Sequence, residues 1–156
     1  MRMLAQLLDP HAIALNYPAK DAEDVIRYLS QKLLETGYVR DSFADAALAR
    51  EAKLPTGLPL GGEINAAIPH TDVEHVIKPA VALATLPQPV IFRNMVEPEQ
   101  EVPVRLVFLL ALDEPKSQVA MLQEVAGILQ NPSLIDQLIQ ATSIAEVQAI
   151  LSKHTV

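Results

Sequence analysis

The chain has 156 residues, of which half are hydrophobic and 20% are charged, a size and composition that predict one globular domain spanning residues 1–156 and exclude a disordered chain. Lys and Arg number 12 against 19 Asp and Glu, and the net charge of −7 disfavours nucleic acid as a partner. The chain contains no cysteine, which excludes disulfides, thiolate nucleophiles and cysteine-based zinc or iron-sulfur sites.

The first part of the chain predicts one strand and two helices before a loop rich in glycine. Apolar residues at helical spacing identify the helices. The predicted elements are a short strand at Ala12–Leu15, a helix over about 21–36 capped by Asp21, and a helix that begins at Asp41 or Ser42 and ends before Pro55. The segment 55–62, PTGLPLGG, contains two prolines and three of the five glycines, so we expect a shaped loop there.

Strands and then helices are predicted for the rest of the chain. Apolar segments rich in Val, Ile and Leu predict strands at Ile64–Pro69, Ala80–Leu86, Val90–Phe92 and Val102–Leu112. The last is almost continuously apolar, as in a central strand covered on both faces. Three helices follow, near Pro115 with Asp113 as a cap, after Asn131 and Pro132, and at a capping box of Ser143 and Glu146. This order predicts an α/β fold with a mixed β-sheet flanked by α-helices on both faces.

No segment has the length or composition of a membrane span or a secretory signal. The longest uninterrupted apolar stretch, Leu106–Leu112, is far shorter than the roughly 18 residues that a spanning helix needs. The first ten residues, MRMLAQLLDP, contain one Arg and a short apolar segment interrupted by Gln6, which is too little for a signal. We therefore expect a cytoplasmic protein.

Four histidines are the candidate nucleophiles or bases in a chain without cysteine. His154 lies near the C-terminus and His11 follows a proline, so both are interpreted as solvated residues. His70 ends the apolar run INAAIPH, and a strand would therefore present its imidazole at a sheet edge, where α/β folds collect functional groups. Position alone does not assign a function, because a histidine at a strand end is more often an ordinary hydrogen-bonded residue.

The sequence offers no pattern for a metal or a nucleotide. His75 follows His70 by five residues, a spacing that fits no helical pair of metal ligands, and no third and fourth ligand can be placed. The glycines of the 55–62 loop match neither a P-loop nor a dinucleotide fingerprint. A Gly-x-Ser-x-Gly elbow is also missing from the sequence. We expect neither a metal nor a cofactor.

The stretch REAKLPTGLPLGGEINAAIPH, residues 50–70, resembles the active-site signature of the sugar-specific IIA proteins of the bacterial phosphoenolpyruvate-dependent phosphotransferase system (PTS), in the mannitol and fructose class (EIIA type 2). In that family an Arg-Glu pair precedes a Pro-Thr-Gly loop, and a strand ending Ala-Ile-Pro-His presents the histidine that is phosphorylated. The matching positions are Arg50, Glu51, Pro55, Thr56, Gly57, Ala67, Ile68, Pro69 and His70. The resemblance extends over nearly the full chain and is greatest to the galactitol-type members, which are separate small chains.

This resemblance implies a phosphotransferase function. His70 would accept a phosphoryl group on Nε2 from the carrier HPr and pass it to a cysteine of a separate IIB component. The system would also contain a IIC membrane transporter and would take up a sugar alcohol, with galactitol as the expected one. Because this chain has no cysteine, it cannot itself contain the IIB acceptor. Transfer between these side chains needs no metal or nucleotide.

Three further residues have expected roles at the site. Arg50 is expected to stabilise charge in the transition state, whereas the nearby Lys53 is interpreted as a solvated residue at a helix end. Thr56 is expected either to hydrogen-bond the phosphoryl group or the imidazole, or to serve the turn itself. Relatives of the mannitol and fructose type usually carry a second histidine where this chain has Gln118. Gln can hydrogen-bond a phosphoryl oxygen or an imidazole, but it cannot take up a proton near pH 7.

Two other functions are compatible with the same signature. The first is a regulatory, nitrogen-type IIA homologue that acts by phosphorylation-dependent protein binding. The second is a non-catalytic scaffold, which the intact Arg50 and His70 disfavour. Leu58, Leu60 and Ile68 are candidates either for a docking surface around His70 or for the core.

Overall fold

The computed structural model describes residues 3–154, without the side chain of His154. The elements in chain order are α1 (Met3–Leu7), β1 (Leu8–Ala14), α2 (Ala22–Glu35), α3 (Phe43–Lys53), β2 (Gly57–Leu58), β3 (Asn65–Ala67), a 3-10 turn (Val73–His75), β4 (Ala80–Arg93), β5 (Glu101–Ala111), α4 (Pro115–Leu129), α5 (Pro132–Gln140) and α6 (Ile144–His154).

These strands form a five-stranded sheet in the order β1-β4-β5-β3-β2. β1 pairs parallel with β4, and β3 pairs parallel with β5, whereas β4 with β5 and β2 with β3 are antiparallel. The predicted mixed sheet is therefore confirmed. β5 lies in the middle of the sheet, as its almost continuously apolar sequence predicts.

Strand β5 contributes to two cores, one on each face of the sheet. Phe108 and Leu110 belong to the core that also contains residues of α1, α4, α5 and α6. Leu109 and Ala111 belong to the other core, with residues of α2 and α3. The alternation follows from the two-residue period of a strand. Helices cover both faces, which confirms the predicted arrangement.

Strand β4 differs from the prediction of two strands, Ala80–Leu86 and Val90–Phe92. The structure has one strand, Ala80–Arg93, and its pairing with β5 shifts register between Thr85 and Val90. The Pro-Gln-Pro segment within this irregularity is exposed. Prolines are tolerated there because a bulge has no ladder hydrogen bond for them to interrupt. The prediction of two separate strands is therefore wrong.

The N-terminal region and the glycine-rich loop also hold elements that were not expected. Helix α1 is only five residues long, too short for periodicity to identify, although its Leu4 is fully buried. β1 begins at Leu8 rather than at Ala12. Within the predicted loop, Gly57–Leu58 forms a short strand that pairs with β3.

The predicted helix caps are mostly present. Asp21 and Asn131 accept hydrogen bonds from the first turns of α2 and α5. Ser143 accepts from the N–H of Glu146 at 3.1 Å. The carboxylate of Glu146 accepts instead from the N–H of Thr142, at 3.1 Å, so the reciprocal half of the predicted capping box is wrong.

Helix α4 starts at Pro115 as predicted, but its N-cap residue is Glu114 rather than Asp113. With 15 residues it is still shorter than a membrane span. Across residues 3–154, no helix is both long enough and apolar enough to cross a membrane.

Candidate functional site

Strand pairing places His70 at the edge of the sheet, beyond the end of β3. The pairing between β3 and β5 continues past the end of β3, because the N–H of Leu110 donates to the carbonyl of Pro69 at 3.0 Å. His70 itself lies beside Leu110 in an isolated parallel bridge. Leu110 is close to the end of β5, so the imidazole lies where the central strand leads into α4. His70 is buried, with 7% of its surface exposed.

The two ring nitrogens of His70 have different surroundings. Nδ1 lies 2.8 Å from the carbonyl oxygen of Ile68. A carbonyl can only accept a hydrogen bond, so Nδ1 carries the proton and donates. In the neutral imidazole, Nε2 then holds the lone pair and is the nitrogen able to act as a nucleophile.

The surroundings of His70 favour its neutral form. Burial lowers the pKa of His70 below the ordinary value of 6.5, while the hydrogen bond to the Ile68 carbonyl raises it. The charge of Arg50 lowers this pKa and that of Asp72 raises it. The net effect is a lowered pKa, so the imidazole is neutral at pH 7 and its Nε2 is unprotonated.

Arg50 lies on α3 and acts electrostatically on His70. Its Nη1 donates to Oδ1 of Asp72 at 3.3 Å, and one third of its side chain is exposed. The Nε atom of Arg50 is buried, and residues 3–154 provide no hydrogen-bond partner for it. The charge of the guanidinium acts on the imidazole of His70, and a guanidinium is suited to binding an anion such as a phosphoryl group.

Thr56 does not make the contact with the imidazole that the sequence allowed. Its hydroxyl donates to Oε1 of Glu51 at 2.8 Å, and its backbone N–H donates to Oε2 of the same carboxylate at 2.8 Å. The hydroxyl oxygen accepts from the N–H of Ile68 at 3.2 Å. In this structure the hydroxyl proton of Thr56 is donated to Glu51, and the contact of Thr56 with a phosphoryl group stays a prediction.

Gln118 lies in the first turn of α4, close to the backbone that follows His70. Its Nε2 donates to the carbonyl of Thr71 at 3.4 Å. This bond holds the amide beside the imidazole-bearing segment without contacting the imidazole. The next residue, Val119, is 57% exposed, so an apolar side chain lies at the surface next to this part of the site.

The other candidate residues lie outside the site. Nδ1 of His75 lies 2.8 Å from Oγ of Ser42. Ser42, one of the two predicted caps of α3, is its N-cap residue, but its hydroxyl makes no capping hydrogen bond. His11 and Lys53 are exposed, and the side chain of His154 is outside the described part of the chain. Among residues 3–154, no group of three or more His, Asp or Glu side chains is arranged to hold a metal ion.

The apolar residues near His70 divide between core and surface. Ile68 is 6% exposed and belongs to the core, so it cannot take part in a docking surface. Leu58 and Leu60 are partly buried and pack against the same core. Of the three candidates, only these two have surface left to contact another protein.

Comparison with known proteins assigns the family. The sequence profile of the family described as "Phosphoenolpyruvate-dependent sugar phosphotransferase system, EIIA 2" matches residues 6–154. The chain belongs to this PTS EIIA family. The galactitol-specific EIIA component of Escherichia coli K12 is 33% identical over 120 residues, which are 76% of this chain and 78% of the relative. EIIA components are phosphotransferase components of the sugar PTS, and this chain is one of them.

Solved structures of EIIA proteins have the same fold. The crystal structure of the mannitol IIA protein of Escherichia coli superposes with a TM-score of 0.77 at 29% identity and covers 92% of this chain and 98% of that one. The same protein in complex with phosphorylated enzyme IIB of the mannitol system gives a TM-score of 0.76 at 29% identity, with 94% and 98% covered. EIIA domains of this family therefore work with a IIB partner.

Two residues near the EIIA site had no role assigned from the sequence. Glu51 was part of the matched signature, but its bidentate contact with Thr56 depends on the path of the chain after α3. Asp72 lies in a loop segment of alternating charge that reads as solvated. Its pairing with Arg50 spans 22 residues, and no local spacing rule predicts such a contact.

Proposed function

We propose that this EIIA protein accepts a phosphoryl group on Nε2 of His70 from HPr and passes it to a cysteine of a separate IIB component. The observation that carries the proposal is the hydrogen bond from Nδ1 of His70 to the Ile68 carbonyl. It leaves Nε2 unprotonated in a buried, neutral imidazole. A nucleophile for phosphorus needs this protonation state.

The chemistry balances without a metal or a cofactor. As the bond between phosphorus and the donor's imidazole breaks, the Nε2 lone pair of His70 forms the new bond. The His70 ring, which keeps its proton on Nδ1, takes over the positive charge that the donor ring loses. The Ile68 carbonyl, at 2.8 Å, stabilises that charged ring. In the second step a thiolate of IIB forms the bond to phosphorus, and His70 leaves as a neutral imidazole.

Arg50 would supply the positive charge that the reaction needs. A phosphoryl group brings up to two negative charges to a protein whose net charge is already −7. The charge of the Arg50 guanidinium acts on His70, and one third of this side chain is exposed. Gln118 would hydrogen-bond a phosphoryl oxygen in this reaction, and its contact with the Thr71 carbonyl at 3.4 Å supports that role.

The relatives support the proposed partners and the proposed sugar. The Escherichia coli mannitol IIA protein is seen with its phosphorylated IIB partner, and we assign HPr, IIB and a IIC transporter to the system of this protein. The galactitol-specific relative supports galactitol as the sugar alcohol. The regulatory, nitrogen-type function is not favoured, because the galactitol-specific relative at 33% identity is a component of a sugar PTS.

The direct test is phosphorylation of the purified protein by phosphoenolpyruvate, enzyme I and HPr. We expect one acid-labile phosphate per chain, absent in His70→Ala and retained in His75→Ala, the matched histidine outside the site. Arg50→Ala should slow the reaction by about 10²- to 10³-fold, the usual cost of one charge-stabilising donor, without loss of helix content. Phosphate retained in His70→Ala would refute the proposal.

A further inference from the structure

Glu51 is a partly buried acid for which the transfer reaction gives no role. Burial raises the pKa of Glu51, and the hydrogen bonds from Thr56 act against that rise. Its carboxylate forms no ion pair with a basic side chain among the described residues. Burying an acid in this way is unfavourable unless its oxygens are hydrogen-bonded.

Both oxygens of Glu51 are used by a single residue. Thr56 donates its N–H to one and its hydroxyl to the other, each at 2.8 Å, and Thr56 is itself 2% exposed. Hydrogen bonds to a carboxylate are about twice as strong as those between neutral groups. Glu51 therefore holds Thr56 in one orientation, with its hydroxyl oxygen turned towards β3.

Thr56 in turn holds the backbone of Ile68. The N–H of Ile68 lies 3.2 Å from the hydroxyl oxygen and 3.3 Å from the carbonyl oxygen of Thr56. On the other side, the N–H of Leu110 binds the carbonyl of Pro69, and the proline ring fixes its own φ. The peptide segment is thus held on both sides of the Ile68 carbonyl, which is the acceptor for Nδ1 of His70.

We propose that Glu51 and Thr56 are positioning residues that fix the Ile68 carbonyl and thereby keep the proton of His70 on Nδ1 and Nε2 free. Neither residue touches the reacting atoms. The effect of these two residues on phosphoryl transfer rests on the proposed function of His70. Their effect on the position of the imidazole proton does not depend on that function. Removing the Thr56 hydroxyl leaves the Ile68 N–H with only the Thr56 carbonyl as acceptor, at 3.3 Å, and leaves Glu51 with one donor fewer. The carbonyl then moves, and the proton of His70 redistributes between the two nitrogens.

The test combines the ¹⁵N chemical shifts of the His70 ring with the rate of phosphorylation by HPr. Thr56→Val removes the hydroxyl with little change of shape, Thr56→Ser retains it, and Glu51→Gln retains the shape without the charge. Thr85→Val is the matched control, because Thr85 is equally buried and its hydroxyl also accepts a backbone N–H, from Asn16 at 2.8 Å.

We expect wild type, Thr56→Ser and Thr85→Val to show the Nδ1–H tautomer. Thr56→Val and Glu51→Gln should show a mixture and about 10- to 100-fold slower phosphorylation, the usual range for residues that orient a reacting group through a second one. Unchanged ring shifts in a folded Thr56→Val protein would overturn the proposal. If Thr56→Val does not fold, unchanged ring shifts in Glu51→Gln would overturn it. A Thr56→Ser protein with the same ring shifts and rate as Thr56→Val would also overturn it. Ring shifts that respond as expected in a protein that HPr does not phosphorylate would support the positioning role and refute the proposed function.

Discussion

Burial is the main cause that lowers the pKa of His70, and two opposing charges act on the same pKa. The guanidinium of Arg50 lowers its pKa and the carboxylate of Asp72 raises it, while the two charged groups are paired with each other at 3.3 Å. A phosphoryl group that reaches Nε2 must therefore compete with Asp72 for Arg50. Asp72 moderates both the basicity of the nucleophile and the positive charge available to the incoming anion.

Asp72→Asn should lower the pKa of His70 further and speed its phosphorylation. Removing this carboxylate takes away a charge that raises the pKa and releases Arg50 from a pair with an exposed partner. Such pairs contribute about 0.2–1 kcal/mol, so we expect an increase of up to about fivefold. An NMR titration of His70 measures the pKa, and transfer from HPr measures the rate.

The control for this substitution lies in an ion pair on the same helix. Asp45 on α3 pairs with Arg27 at 3.2 Å, and Asp45→Asn should leave the titration of His70 unchanged.

In the wild type the midpoint of the His70 titration should lie below pH 6.5. Because the unfolded chain then binds a proton before the folded one does, stability should fall as the pH drops from about 6.5 towards the folded pKa. A midpoint at or above 6.5 would contradict the neutral site.

The close approach of β2 to the end of β4 explains why the residue after Pro55 and Thr56 is a glycine. A Cβ added at Gly57 would lie 2.5 Å from the carbonyl oxygen of Arg93, at the end of β4. The N–H of Met95 also donates to the carbonyl of Gly57 at 2.9 Å. The reason for glycine is therefore the close approach of a second backbone, not a left-handed conformation.

Gly57→Ala should destabilise the protein and disturb the site. The new methyl group would push β2 away from β4 and so move Thr56, and overpacking of this kind costs about 1–3 kcal/mol. Gly62→Ala is the matched control in the same loop, since nothing lies within 4 Å of the added Cβ. Denaturant unfolding measures both, and equal stabilities for the two variants would refute the close-approach explanation.

The elements that sequence alone predicted are those with long periodic or apolar patterns. α2, α4 and β5 are of this kind, and the central position of β5 follows from its being buried on both faces. Helix α1 is too short to show a period, and the bulge in β4 was read as a gap between strands because it contains two prolines. At the site, a resemblance to known proteins identified His70 and Arg50. The contacts of Glu51 with Thr56 and of Asp72 with Arg50 depend on chain crossings that no local pattern encodes.

The net charge of the whole molecule is negative, whereas Arg50 provides a positive charge that acts on His70. The chain carries −7, which opposes the approach of a phosphoryl group over long distances, but salt screens that repulsion beyond about 10 Å. Arg50 acts within the screened range and on a partly desolvated site, where a single charge has a larger effect. A protein of this charge can therefore receive a dianion, provided that the guanidinium is next to the acceptor.

Because β5 belongs to both cores, the two faces of the sheet should unfold together. Phe108 and Leu109 are adjacent on this strand, fully buried, and face opposite cores. Phe108→Ala should cost about 3–5 kcal/mol and Leu109→Ala about 2–5 kcal/mol, and each should shift one common transition. Circular dichroism of the helices and the NMR signal of His70 should lose their native values at the same denaturant concentration. Two separate transitions would mean that residues 1–156 do not form the single domain predicted from the sequence, and that the site can be lost while one core persists.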